Sequence, residues 1–253
     1  MDNMNKRCCF CKLIGHSVIN DEIVCLEFAW PGKEPKGGQF FLIRPERTSV
    51  FLARPLSAAF WRPSALGFLV AKRGRGTHEL ASLQIGEMAL LTGPLGRGWA
   101  EVSGDGINKG EAALVSGGVG VAPLACFAKE LALEHKAFDF YAGFKSAPFG
   151  LEGILPRSLV IASEDGSSGL MGRIPDHFSP DAYSVVYACG PWPMLKLIAM
   201  KCKAARVPCF ISLERHMACG TGACLGCTIK TVAGNKRCCA EGPVFDAEDI
   251  IFD

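Results

Sequence analysis

Two hundred and fifty-three residues suffice for one large domain, or for two with an appendage, and exclude a small scaffold held by staples alone. With 49% hydrophobic and 21% charged residues, and 27 basic side chains against 25 acidic, the formal charge is only +2. That is ordinary globular usage with no basic field for nucleic acid. The longest uncharged stretch, 17 residues between Glu111 and Lys129, is shorter than the roughly 20 needed to cross a bilayer. Gly117, Gly118, Gly120 and Pro123 interrupt it, so no membrane association is expected.

In chain order, the first hundred residues predict an antiparallel sheet. Runs at 11–18 and 23–29 flank the turn-rich Ile19-Asn20-Asp21-Glu22 and read as a hairpin. Further β-rich runs at 39–43, 67–72 and 88–92 are punctuated by glycine pairs and Gly93-Pro94, the rhythm of a small barrel. Only 77–83 looks helical there, with Thr77 as its N-cap. After a Gly104-Asp105-Gly106 linker the rhythm changes: strands at 112–116, 138–144, 158–163 and 185–188, with helices at 122–134 and 193–205. Strands alternating with helices predict a parallel sheet with right-handed crossovers. From Cys209 onward the chain is rich in glycine and cysteine with little periodicity. The expected division is therefore an antiparallel β-barrel over 1–103, a parallel α/β nucleotide-binding domain over 104–208, and a third, cysteine-bearing part over 209–253.

Thirteen cysteines are many for a chain whose first 20 residues show no apolar core with a small-residue cleavage site. A cytoplasmic setting is expected, with thiols reduced or bound to metal. Cys219, Cys224 and Cys227 form C-x4-C-x2-C, followed by Cys238 and Cys239. This is the plant-type [2Fe-2S] spacing: a tight loop aims three thiolates at one small cluster, and a distant fourth completes it. Gly220, Gly222 and Gly226 let amide N–H groups approach the sulfurs. Spacing does not choose between Cys238 and Cys239. The bland alternative is a structural zinc site using Cys224, Cys227 and further thiolates or His216, which would make the chain a non-redox binding module. Cys8, Cys9 and Cys11 open a strand and read as small apolar side chains.

Gly117, Gly118 and Gly120 join a predicted strand to a predicted helix. A dinucleotide can approach such a backbone, with the helix N-terminus offering N–H groups to phosphate or ribose. The G-x-G-x-x-G pattern is incomplete, because Pro123 stands where its third glycine belongs. Cys189-Gly190-Pro191 ends another strand at the carboxyl edge, where open α/β sheets bind ligands. In the first part, Arg54-Pro55-Leu56-Ser57 sets a guanidinium and a hydroxyl around a stiff proline, suited to a flavin, and Gly76-Thr77 opens a short helix, suited to a diphosphate.

Taken together, R-P-L-S, G-P-L-G-R-G at 93–98, G-G-V-G-V-A-P-L, E-D-G-S-S-G-L-M-G at 164–172, C-G-P-W-P-M-L at 189–195, M-A-C-G-T-G-A-C-L-G-C at 217–227 and C-A-E-G-P-V-F at 239–245 resemble the ferredoxin-reductase superfamily. More closely, the chain resembles the electron-transfer subunits of the two-subunit, NAD-dependent dihydroorotate dehydrogenases. The resemblance implies one FAD and one [2Fe-2S] cluster, with NAD as co-substrate and an FMN-containing catalytic subunit as partner, two of each in a heterotetramer. Electrons would pass from that FMN through cluster and FAD to NAD+ in pyrimidine biosynthesis, with no acid–base residue required. It places Arg54, Pro55, Leu56, Ser57, Gly76 and Thr77 on FAD, with Leu69, Val70 and Ala71 on a contacting strand where Val70 and Ala71 depart from the family's aromatic and basic residues. It also places Gly117, Gly118, Gly120, Cys189, Gly190 and Pro191 on the nicotinamide side, and selects Cys239 as the fourth ligand. Related subunits serving an NAD(P)H:ferredoxin transhydrogenase or a sulfide dehydrogenase are the alternative. Lys145 and Ser146, after the second strand of the nucleotide part, leave NAD against NADP open.

Overall fold

The structure is a computed structural model that describes residues 8–104 and 110–252. Asp105 and Gly106 of the expected linker lie outside them. The first sheet is built from β1 (Cys8–Asn20), β2 (Ile23–Ala29), β3 (Phe40–Pro45), β4 (Arg54–Ser57), β5 (Phe60–Arg62) and β6 (Ala65–Ala71). Helix α1 (Arg75–Ala81) and β7 (Met88–Leu95) complete it, and α2 (Trp99–Ser103) follows. Its strands are antiparallel in the order β4-β3-β7-β1-β2-β6-β5.

The expected hairpin is β1–β2, its turn closed by the Glu22 N–H donating to the Asn20 carboxamide oxygen at 2.9 Å. Strand β1 is longer than its apolar run suggests, because Cys8–Lys12 pairs with β7 and Leu13–Asn20 with β2. One strand thus joins both halves of the sheet. Phe41 on β3 meets Phe68 on β6, ring centroids 5.5 Å apart, although three strands separate β3 from β6 in the order. The sheet therefore curls over its own core, where Leu13, Leu26, Phe28, Ile43 and Leu66 are fully buried. Each such side chain contributes about 1.5–3 kcal/mol by leaving water. Cys11 lies in that core, matching its reading as a small apolar residue.

Helix α1 begins earlier than expected. Gly74, not Thr77, is its N-cap. Thr77 is the third helical residue, and its hydroxyl reaches back to accept the N–H groups of Arg73 (2.9 Å) and Gly74 (3.1 Å). A hydroxyl there satisfies donors just ahead of the first turn, the second half of a capping box.

The second sheet comprises β8 (Ala112–Gly117), β9 (Phe138–Phe144), β10 (Ser158–Ser163), β11 (Leu170–Met171), β12 (Val185–Cys189) and β13 (Cys209–Ser212), with helices α3 (Val121–Leu133) and α4 (Trp192–Ala205) in the crossovers. Its order, β11-β10-β9-β8-β12-β13, is parallel throughout. Period-two alternation divides each strand between two cores. Ala112, Leu114, Val185 and Tyr187 pack under α3, and Ala113, Val115, Val186 and Ala188 under α4. Burial on both faces is why these strands read as unbroken apolar runs.

The expected division at 208 falls between α4 and β13. After β13 come a hairpin of β14 (Thr228–Thr231) and β15 (Gly234–Arg237), then α5 (Cys238–Glu241) and β16 (Val244–Asp246). Strand β16 pairs antiparallel with β13, so the cysteine-bearing segment is tied back to the parallel sheet. Among the described residues, no helix is long and apolar enough to cross a membrane.

Candidate functional site

A cleft of about 1600 Å³ opens between the two sheets. Its first wall carries Arg54, Pro55, Leu56 and Ser57 of β4, Leu69 and Ala71 of β6, and Gly76 and Thr77 of α1. Neighbours on a strand face opposite ways, so Val70, between Leu69 and Ala71, turns its side chain into the barrel core and is fully buried there. Arg54 donates through Nη2 to the Leu52 carbonyl at 2.7 Å, while its buried Nε has no protein partner. A Cβ on Gly76 would lie 2.7 Å from that Nε, so glycine is what lets the guanidinium lie along the helix start. A buried charged donor left unpaired is costly, and an acceptor entering the cleft at Arg54 removes that cost. A flavin fits this wall: apolar strand residues, a proline, and an unpartnered guanidinium N–H.

The second wall carries Gly117, Gly118 and Gly120 with Gly190 and Pro191, all at the carboxyl edge of the parallel sheet. The two loops are pressed together, since a Cβ on Gly120 would sit 2.2 Å from the Cys189 carbonyl oxygen. Cys189 itself lies beneath the cleft floor, 1% exposed, and burial holds its thiol well above the usual range. Lys145, Ser146, Glu164 and Arg173 complete this end of the cleft. Asp139, at the start of β9, lies at the opposite end of the strand from the cleft, where its carboxylate takes two hydrogen bonds from Arg157 and one from Tyr183.

Sequence reasoning missed the third wall, residues 213–217. Leu213, Glu214, Arg215, His216 and Met217 follow β13 at the same carboxyl edge. The signal was the short apolar run Cys209–Ser212 after Pro208, which is the sixth parallel strand and not the start of an irregular segment. Glu214 lies against the protein walls of the cleft, and desolvation raises its carboxyl above the ordinary range, with Arg73 acting in the opposite direction.

Two residues beyond Met217 the cysteine loop begins. The Cys219 sulfur accepts the N–H groups of Cys224 and Thr221, both at 3.4 Å, which bring its thiol down to about 5. The Cys239 sulfur accepts the Gly222 N–H at 3.2 Å, and the Cys239 N–H donates to the Cys227 sulfur at 3.3 Å. Burial, then the neighbouring Cys227, pushes the Cys239 thiol up to about 12. Cys238 faces the other way: it is fully buried and donates its S–H to the Leu213 carbonyl at 3.2 Å. Cys224 stands on the exposed rim. No three His, Cys, Asp or Glu side chains among the described residues converge as the ligands of a single ion do. Amide dipoles aimed at three cysteine sulfurs are what an anionic, thiolate-bound iron–sulfur group requires.

A profile of the iron–sulfur cluster binding domain of dihydroorotate dehydrogenase B matches residues 214–251. The dihydroorotate dehydrogenase B (NAD(+)) electron transfer subunit of Clostridium acetobutylicum is 39% identical over 224 residues, 87% of this chain and 88% of that protein. The one from Caldanaerobacter subterraneus is 36% identical over 252 residues, covering 95% and 97%. The structure of an NADH-dependent reduced ferredoxin-NADP oxidoreductase superposes with a TM-score of 0.85 at 27% identity, over 96% of this chain and 90% of that one. A ferredoxin NADP+ reductase from Neisseria gonorrhoeae shares the fold alone, with a TM-score of 0.64 at 15% identity over 79% and 92% of the two chains.

Proposed function

Because this chain belongs to the family of dihydroorotate dehydrogenase B electron-transfer subunits, we propose that it carries electrons from the FMN of a dihydroorotate-oxidising catalytic subunit, through a [2Fe-2S] cluster and FAD, to NAD+ in pyrimidine biosynthesis. The observation that carries this reading is the continuity of one cleft. Arg54, Gly118 and Met217 line the same cavity, and Met217 stands two residues before Cys219. A flavin on the first wall thus has a nicotinamide site on one side and the cysteine loop on the other.

Bound FAD supplies the exchange between two-electron hydride transfer and the one-electron transfers of an iron–sulfur cluster. The protein's part is placement. Arg54, Pro55, Leu56 and Ser57 would hold the flavin, Leu69 and Ala71 would pack against it, and the turn at Gly76 and Thr77 would take its diphosphate. Gly117, Gly118 and Gly120 would let a dinucleotide approach the sheet edge beside Gly190 and Pro191, with Cys189 supporting them from below. Cys219, Cys224, Cys227 and Cys239 would ligate the cluster, leaving Cys238 in the core. The division we propose is 1–103, 104–208 and 209–253, with the third part lending β13 and β16 to the sheet of the second. The working unit is two of these chains with two FMN-containing subunits, in the cytoplasm.

Purified alone, the chain should reduce dyes with NADH and leave dihydroorotate untouched; adding the FMN-containing subunit should restore dihydroorotate-dependent NAD+ reduction. Dihydroorotate turnover by this chain without a partner overturns the assignment. The likeness to the NADH-dependent ferredoxin-NADP oxidoreductase favours one second reading, service to a transhydrogenase. The protein that co-purifies from native extract, identified by mass spectrometry, separates the two.

A further inference from the structure

Behind the cysteine loop lies a charged pair that the electron route does not use. Arg237 ends β15, and its Nη1 donates to the Gly222 carbonyl at 3.3 Å. Its Nε and its backbone N–H both donate to one carboxylate oxygen of Glu241, at 2.9 and 2.6 Å. Gly222 has φ +85°, and its own N–H points at the Cys239 sulfur at 3.2 Å. A Cβ there would lie 3.0 Å from that of Ala240 and 3.3 Å from Arg237 Nη1, so both the handedness and the space ask for glycine. The guanidinium also lies within electrostatic reach of Cys227 and Cys239. As a fold element the pair is minor: side chains 41% and 37% exposed and four residues apart on the surface stabilise only weakly.

We propose that Arg237 is a positioning residue for the cluster: held by Glu241 against the Gly222 carbonyl, it keeps the Gly222 N–H on the Cys239 sulfur and raises the cluster's reduction potential with its charge. The inference rests on the ligand set proposed above. Reduction adds an electron to a group that is already anionic, so a nearby cation favours the reduced state and a nearby carboxylate opposes it. Arg237 and Glu241 therefore push the potential in opposite directions, although both brace the same loop.

The test uses the full chain purified anaerobically as wild type, Arg237→Gln, Arg237→Lys, Glu241→Gln and the double Arg237→Gln/Glu241→Gln. Iron per chain and the cluster midpoint are measured by redox titration followed by electron paramagnetic resonance. Arg237→Gln should lower the one-electron reduction equilibrium about three- to tenfold, tenfold being about 59 mV. Glu241→Gln should raise it, Arg237→Lys should keep most of the wild-type value, and the double variant should fall between the singles. With iron content intact, shifts of the same sign in the two single variants, or no shift in either, overturn the inference and leave a merely mechanical brace. If Arg237→Gln sheds its iron, Glu241→Gln decides alone, and only an upward shift supports the proposal. Wild-type protein with flavin but no cluster defeats the ligand reading itself, a different and separately visible failure.

Discussion

The parallel sheet and the cysteine loop stand side by side and are ordered by different physics. Every residue of β8, β12 and β13 is buried, so those strands are held by apolar contact on both faces. In the loop, Thr221, Ala223, Cys224, Leu225 and Gly226 are exposed, and order comes from N–H groups directed at sulfur and from Arg237 on the Gly222 carbonyl. The sheet is ordered by its own apolar core, whereas the loop is ordered around its cysteine sulfurs. Changes in the loop should therefore cost cofactor and spare the fold, and changes in the sheet should cost fold first.

The sharpest break in that contrast, and the largest effect expected, comes from the adjacent cysteines. Cys239→Ser should lower iron per chain by more than about tenfold while far-ultraviolet dichroism and flavin content stay at wild-type values. Cys238→Ala should retain its iron and cost about 1 kcal/mol of stability in urea, since its thiol packs in the core and bonds the Leu213 carbonyl. If the two exchange outcomes, the fourth ligand has been misassigned.

Gly120→Ala tests the sheet side. Its Cβ would fall 2.2 Å from the Cys189 carbonyl oxygen, so the two carboxyl-edge loops must separate. A loss of about 1–3 kcal/mol is expected, with a raised KM for NADH and unchanged iron. Unchanged stability would show that these loops are not pressed together.

The smallest effect belongs to the far end of the sheet. Hydrogen bonds from Arg157, and then from Tyr183, hold the Asp139 carboxyl below the ordinary carboxylate range. Its stabilisation is complete above the unfolded carboxyl value near 4 and is lost as pH falls through the lower folded value. Asp139→Asn should cost about 1 kcal/mol at neutral pH and flatten the acid limb of stability measured by urea unfolding from pH 7 to pH 3. An acid limb identical to wild type would show that the network contributes nothing.

Much of this arrangement is legible in the residues themselves. Alternating strand and helix signals over 112–205 give the parallel sheet, because an apolar run buried on both faces needs no partner to be recognised. The glycine turn at 117–120 and C-x4-C-x2-C are equally local, since each brings its groups together within a dozen residues. Other features were not legible. Thr77 looks like an N-cap until Gly74 is seen to begin the helix. Val70 looks like a cofactor contact until register sends it into the barrel. Glu214 to Met217 look like part of an irregular tail until β13 joins the sheet and β16 returns to it.

The amino-acid sequence by itself determined the kinds of element, their order, and the chemistry of the cysteine loop and glycine turns, because propensity, periodicity and ligand spacing act over a few residues. Tertiary structure alone decided which way each side chain faces and which distant segments share a wall: Arg54 against Gly76, Gly120 against Cys189, Cys239 toward the loop and Cys238 away from it. Those outcomes depend on strand register and on the meeting of surfaces far apart in the chain. A one-residue slip reverses every side chain on a strand, and nothing local prevents it until the partner strand is in place.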